Sequence, residues 1–150
     1  MQMTKSLLAL AALATSAFAQ SIAITGPPAG TTVTAGQGFV VDIARPNTLS
    51  PSQEVAVVVA LSSCGSFGGG TCDFVTPDQV LGRILYSGPY TPTHHTDSAP
   101  GSIEFYQNFT VTVPDNFAKG PASLNVAHFN LIGAGPFPSM EVKNITVIVA

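Results

Sequence analysis

The chain has 150 residues, 45% of them hydrophobic and only 9% charged, with 5 Lys+Arg against 8 Asp+Glu. So apolar a composition excludes a disordered chain. Its weakly acidic balance, without basic clusters, argues against nucleic acid and against membrane insertion or anionic lipid as partners.

The opening MQMTKSLLALAALATSAFAQ sets Lys5 ahead of an uncharged apolar run that closes on Ala17-Phe18-Ala19. A basic start, a short apolar stretch and an A-x-A pattern are the layout of a secretory signal. The run is shorter than the roughly 20 residues a spanning helix needs. Residues 1–19 are therefore read as a cleaved signal peptide and 20–150 as a single secreted, extracellular domain, expected to be a monomer. A domain of this length buries about two-thirds of its unfolded surface, enough for a core without a metal staple.

After the leader, SIAITGPPAGTTVTAGQGFVVDIARP reads as a strand, a Pro/Gly turn, a short strand, a turn and a third strand. In its last part Phe39, Val41 and Ile43 alternate with Val40, Asp42 and Ala44, which gives one buried and one wetter face. VAVVVAL (Val55–Leu61) is apolar on both faces and reads as a central strand covered on both sides. Next come QVLGRILYSG as a strand, PYTPTHHTDSAPG as a long connection and FYQNFTVTVP as a strand. SLNVAHFNLI and VKNITVIV follow, separated by a GAGPFPS turn. No long stretch has helical periodicity. Short β-branched runs between Gly, Pro, Asn and Asp predict an all-β fold, an immunoglobulin-like antiparallel β-sandwich of seven to eight strands.

Cys64 and Cys72 bracket CGSFGGGTC. In a secreted protein two cysteines this close pair as a disulfide, and the CxxC spacing of zinc or redox sites is absent. Two glycosylation sequons, at Asn108 and Asn144, fall in strands where alternation points both asparagines to the wetter face.

Catalytic motifs are missing. The sequence has no nucleophile elbow, no phosphate-binding loop and no paired zinc histidines, so no catalytic residue, cofactor or metal ligand is assigned. His94, His95 and Asp97 are adequate ligands in type, with Glu104 or His128 as a third. Adjacent side chains diverge in extended backbone, however, and THHTD reads as a solvated loop. His128 shares a strand face with Leu124 and Val126. Either it is partly buried, or a bulge near Ala127 re-aims the strand so that Phe129 and Leu131 join the core. A satisfied structural histidine is the reading adopted.

GTTVTAGQGFVVDIARPN, LGRILYSGPYTP, YQNFTVTVP and FAKGPASLNVAHFNLIGAGPFPSMEVKNITV together resemble the fungal necrosis-inducing secreted protein family, in order and over nearly all of Ser21–Ala150. The resemblance implies a small effector, not an enzyme, that dampens plant pattern-triggered immunity. It would do so by engaging host receptor-associated immune kinases, provoking cell death in some plants. A cytosolic kinase target implies translocation into the host cytoplasm. On that reading the Pro-framed loops are contact surfaces, with Tyr90, His94, His95 and Phe137 as partner-binding residues. The alternative is a cell-wall or carbohydrate-binding β-sandwich module, which the absence of tryptophan disfavours.

Overall fold

The computed structural model describes residues 21–65, 70–96 and 102–150. The signal-peptide reading of residues 1–19 lies outside them. Among the described residues nine strands run in chain order: β1 (Ala23–Gly26), β2 (Thr32–Val33), β3 (Gly38–Ala44), β4 (Ser52–Ser63), β5 (Arg83–Pro89), β6 (Thr93–His94), β7 (Phe105–Thr112), β8 (Gly120–Ile132) and β9 (Phe137–Val149), with a 3-10 turn at Cys72–Phe74. They form two sheets, ordered β1-β3-β7-β6 and β2-β9-β8-β4-β5. This is the expected all-β sandwich. The strand count exceeds the expected one only through the two-residue β2 and β6, and β2 pairs with β9 in parallel. No helix among the described residues is long and apolar enough to cross a membrane.

Alternation builds the core. Val41 and Ile43 of β3 and Phe109 and Val111 of β7 face Val57, Val59 and Leu61 of β4, Leu124 and Val126 of β8 and Val147 and Val149 of β9. All are buried, and burying a side chain of this size contributes about 1.5–3 kcal/mol. The GPYTP loop, Pro-framed and expected at the surface, supplies the largest of the fully buried side chains, Tyr90. Its hydroxyl donates to the Ile43 carbonyl at 3.0 Å, and its ring lies 6.4 Å from that of Phe109.

The strand Val55–Leu61 is central but covered unevenly. Its inner side chains meet the opposite sheet. On its outer side Ala60 is fully buried, whereas Ala56 and Val58 are only half-buried. The cover comes from residues 70–82, which are held by the Cys64–Cys72 disulfide and by Asn125 Nδ2 donating to the Leu81 carbonyl at 2.7 Å. The strand expected from Gln79 starts at Arg83, because Gln79–Gly82 belongs to this covering segment.

Gly82 closes that segment with φ +92°, a conformation that disfavours any side chain, and a Cβ there would meet the Leu61 carbonyl oxygen at 2.5 Å. Gly82→Ala is therefore expected to destabilise the fold by about 2–4 kcal/mol. A fall in Tm on the order of 10 °C would show it, and an unchanged Tm would refute the tight approach. Reducing Cys64–Cys72, which spans 8 residues of sequence, should remove about 2–3 kcal/mol. Because the core lies between the sheets and not under that loop, a cooperative unfolding transition should survive in reductant. Its disappearance would contradict this.

Candidate functional site

The site grows from an irregularity in β4. Glu54 pairs with Asn130 of β8, but Ala56 pairs with Phe129, so Val55 is an extra residue opposite no partner. A regular strand would place Glu54 on the outer face with Ala56 and Val58. One inserted residue inverts that phase and turns the Glu54 carboxylate inward, toward His128, whose strand partner is Val57. Of the two alternatives for His128 the buried one holds: β8 stays regular near Ala127, and the bulge lies in the neighbouring strand. His128 is 1% exposed, whereas Phe129 points outward. On the other side of β8, Glu141 of β9 lies directly across from His128.

The imidazole thus sits between two carboxylates. Nε2 lies 2.5 Å from Glu54 Oε2 and Nδ1 lies 3.2 Å from Glu141 Oε1. Ionised carboxylates only accept, so two such contacts require two ring protons and a charged histidine. Each carboxylate is fixed in turn. Glu54 Oε1 accepts from Ser52 Oγ at 2.8 Å and faces Arg45 Nη1 at 3.4 Å. Glu141 Oε1 accepts from the Ile22 backbone N–H at 2.7 Å, and its Oε2 accepts from Ser21 Oγ at 2.5 Å, with Lys143 Nζ at 3.6 Å. The Tyr90 ring meets the imidazole edge-on, with centroids 5.3 Å apart.

Burial alone pushes the His128 proton off. The hydrogen bonds to Glu141 and Glu54 and the charges of both outweigh it, and the imidazole pKa is raised above 6.5. Burial likewise pushes both carboxyls up. Hydrogen bonds from His128 and Ser52 hold Glu54 below 4.5, and hydrogen bonds from His128, Ser21 and Ile22 do the same for Glu141. His128 is thus a satisfied histidine whose ring cannot reach a substrate. Among the described residues, no group of three His, Cys, Asp or Glu is arranged to hold a metal ion.

The residues expected to bind a partner separate. Tyr90 is corrected to a core residue, fully buried and hydrogen-bonded across the sandwich. Phe137 is 70% exposed at the start of β9. His94 is exposed on β6, with Nε2 3.0 Å from Glu104 Oε2 and its ring 5.0 Å from that of Phe105. His95 stacks on Tyr106 with centroids 3.7 Å apart. The two histidines therefore turn to different neighbours. Asp97, the third ligand type in THHTD, lies outside the described residues. Both sequon asparagines are exposed, and Asn144 Nδ2 donates to Ser123 Oγ at 3.3 Å.

A second feature emerges on the uncovered part of the five-stranded sheet. Residues 56–58 of β4, 127–129 of β8 and Met140 of β9 border an apolar dent of about 100 Å³, with the side chains of Val57 and His128 buried in the core. Phe129 and Met140 are strand partners and stand 37% and 74% exposed. The outward side chains at these positions, Ala56, Val58, Ala127, Phe129 and Met140, are all uncharged. Alternation in SLNVAHFNLI sets Phe129 opposite His128, so this outward aromatic is legible in the sequence. Met140 lies within β9, one residue before Glu141, and the phase of Ile145, Val147 and Val149 that turns Glu141 inward leaves Met140 on the outer face.

The sequence matches the Nis1 family over residues 17–148. The chain belongs to the Nis1 family. No curated protein sequence matched this Nis1-family chain. Solved structures similar to it include two of the superoxide reductase (neelaredoxin) from Ignicoccus hospitalis, one of them a variant. Both are 16% identical, with TM-scores of 0.44 and 0.38, covering 89% and 85% of this chain and 87% and 80% of theirs. Likeness at that level carries no argument about what the Nis1-family chain does.

Replacing the imidazole by an apolar group leaves two half-buried carboxylates facing it. His128→Leu should therefore lose about 3–5 kcal/mol of stability, read from denaturant unfolding. The loss should depend on pH. The depressed carboxyls stabilise above about pH 4.5 and lose that effect as pH falls through their folded values. The raised histidine stabilises fully below 6.5 and loses that effect as pH rises through its folded value. The difference between wild type and variant should peak between those limits; a difference independent of pH would refute a charged His128.

Proposed function

We propose that this Nis1-family protein is a secreted, non-enzymatic fungal effector that suppresses plant pattern-triggered immunity by binding host receptor-associated immune kinases and, in some plants, provokes cell death. Membership of the family and the resemblance to necrosis-inducing secreted proteins support the class. The Cys64–Cys72 bond suits an oxidising compartment such as the extracellular space. A kinase target would place the active protein in the host cytoplasm.

One observation carries the binding reading. The outer face around Phe129 and Met140 is an uncharged apolar surface with a dent the size of one aliphatic side chain, on a protein whose single buried histidine is locked between carboxylates. A contiguous exposed apolar area of this kind supports the reading of a contact surface. Its freedom from charge suits an equally uncharged apolar patch on the kinase, since any charge docked there would lose water without gaining a partner. Phe137 and His94 are exposed and His95 is half-buried, all three outside this dent, and they are proposed as secondary contacts.

The test is the chitin-triggered oxidative burst in leaves expressing residues 20–150 as wild type or as a Phe129→Ser, Met140→Ser double variant. The wild type should suppress the burst and co-purify with a receptor-associated kinase. The variant, folded and present at equal level, should do neither. Equal suppression by both would reject this face as the contact, and a normal burst with folded wild type present would reject the effector reading.

A further inference from the structure

A neutral imidazole has one N–H and cannot serve two carboxylates. Which contact survives loss of a proton is decided by the geometry around His128. The Nε2 contact to Glu54 is shorter than the Nδ1 contact to Glu141, 2.5 against 3.2 Å. The Glu54 side chain is also less exposed, 9% against 23%, and is braced by Ser52 and Arg45. The remaining proton therefore stays on Nε2, and the bare Nδ1 lone pair is left facing Glu141 Oε1. That oxygen is the one that accepts the Ile22 N–H. Two electron-rich atoms cannot hold a 3.2 Å contact in a buried setting, and Glu141 has somewhere to go. Lys143 lies 3.6 Å from its other oxygen, on the same strand.

We propose that Glu54, His128 and Glu141 form a proton-operated latch on the N-terminal strand: with His128 doubly protonated, Glu141 holds Ser21 and Ile22 against the five-stranded sheet, and loss of the Nδ1 proton swings Glu141 to Lys143 and frees them. The groups facing His128 assign this direction. β4 presents Glu54, with Arg45 behind it from the end of β3; β9 presents Glu141 and Lys143. The segment after β5 presents the Tyr90 ring, and of the described N-terminal residues Ser21 presents an uncharged hydroxyl and Ile22 its backbone N–H. Among the described residues, no other carboxylate or cation is bonded to the ring.

The released segment is placed to matter. Ser21 and Ile22 lead directly into β1, an edge strand that pairs with β3 through only three positions, Ala23, Ile24 and Gly26. Loosening its anchor lowers the protection of β1 and lets the β3 edge open to strand addition from another chain. The latch is closed while His128 carries both protons and opens as pH rises through its folded pKa, which lies above 6.5, and it does not depend on the identity of any partner.

The experiment is an amide NMR titration from about pH 5 to 9, a range that spans histidine titration, on uniformly ¹⁵N-labelled protein recovered from the medium of a secreting host. The Ile22 amide proton should move upfield with the same midpoint as the His128 ring protons. Its exchange protection, corrected for intrinsic base catalysis, should fall about tenfold or more across it, the size of one charge-assisted hydrogen bond. Glu141→Gln should abolish the Ile22 transition while His128 still titrates. An Ile22 amide that stays fixed while His128 titrates in the wild type would overturn the latch, as would a His128 that keeps both protons throughout. Both of these outcomes are read from the wild type alone, so an unfolded variant does not rescue the latch.

Discussion

A charged imidazole held between two carboxylates is the constraint on which the arrangement of this sandwich turns. Buried ion groups are weak as net stabilisers but severe as selectors, because a half-made set costs more than an apolar replacement would. His128 is satisfied only if β4 carries its bulge at Val55 and if β9 lies in the register that sets Glu141 opposite. The N-terminal residues must also return to the same end of the molecule. A slip of one residue in β8 against either neighbour would put His128 on the outer face and Phe129 in the core. Four separate segments are thus tied to one register by one side chain.

The same locking explains how the two sheets stay aligned at that end. Arg45 follows β3 of the first sheet, and its guanidinium donates to Ser52 at 2.7 Å and lies 5.5 Å from the centre of the Phe105 ring. Tyr90 reaches from the second sheet to the Ile43 carbonyl in the first. These links cross the sandwich where its aliphatic packing gives way to polar groups. Toward the other end Val33, Ala122, Val147 and Val149 pack without polar help. On the outer face the disulfide-held segment covers Asn125 and Ala60 but stops short of Ala56. The bare apolar area around Phe129 and Met140 begins where that cover ends.

Alternation is a good guide wherever a strand is regular. The inward set of β3 and the outward Asn108 and Asn144 follow from period-two counting, and so does the shared face of Leu124, Val126 and His128. Glu141 is legible in the same way, since it falls in phase with Ile145, Val147 and Val149 and therefore has to point toward the core. Its charge disguises it as a turn residue. Glu54 is not legible. Counting from Val57 puts it on the outer face, and only the unpaired Val55 reverses that, a feature decided by the partner strand and not by local sequence. Arg45 and Ser52 are hidden for the same reason, their roles being defined by a carboxylate whose direction local sequence does not set.

Tyr90 shows why loop composition misleads. GPYTP has the Pro and Gly that mark an exposed turn, and an aromatic there resembles a contact anchor. Yet the Tyr90 backbone N–H donates to the carbonyl of Val55 at 3.3 Å, so the loop is hung from the very residue that inverts β4. That attachment carries the ring inward over His128, where its hydroxyl finds a backbone acceptor. The bulge, the buried tyrosine and the doubly bonded histidine therefore form one structural unit. Within it the GPY string serves to roof a charged ring, and the exposed Phe129 lies on the opposite side of the sheet formed by β4 and β8.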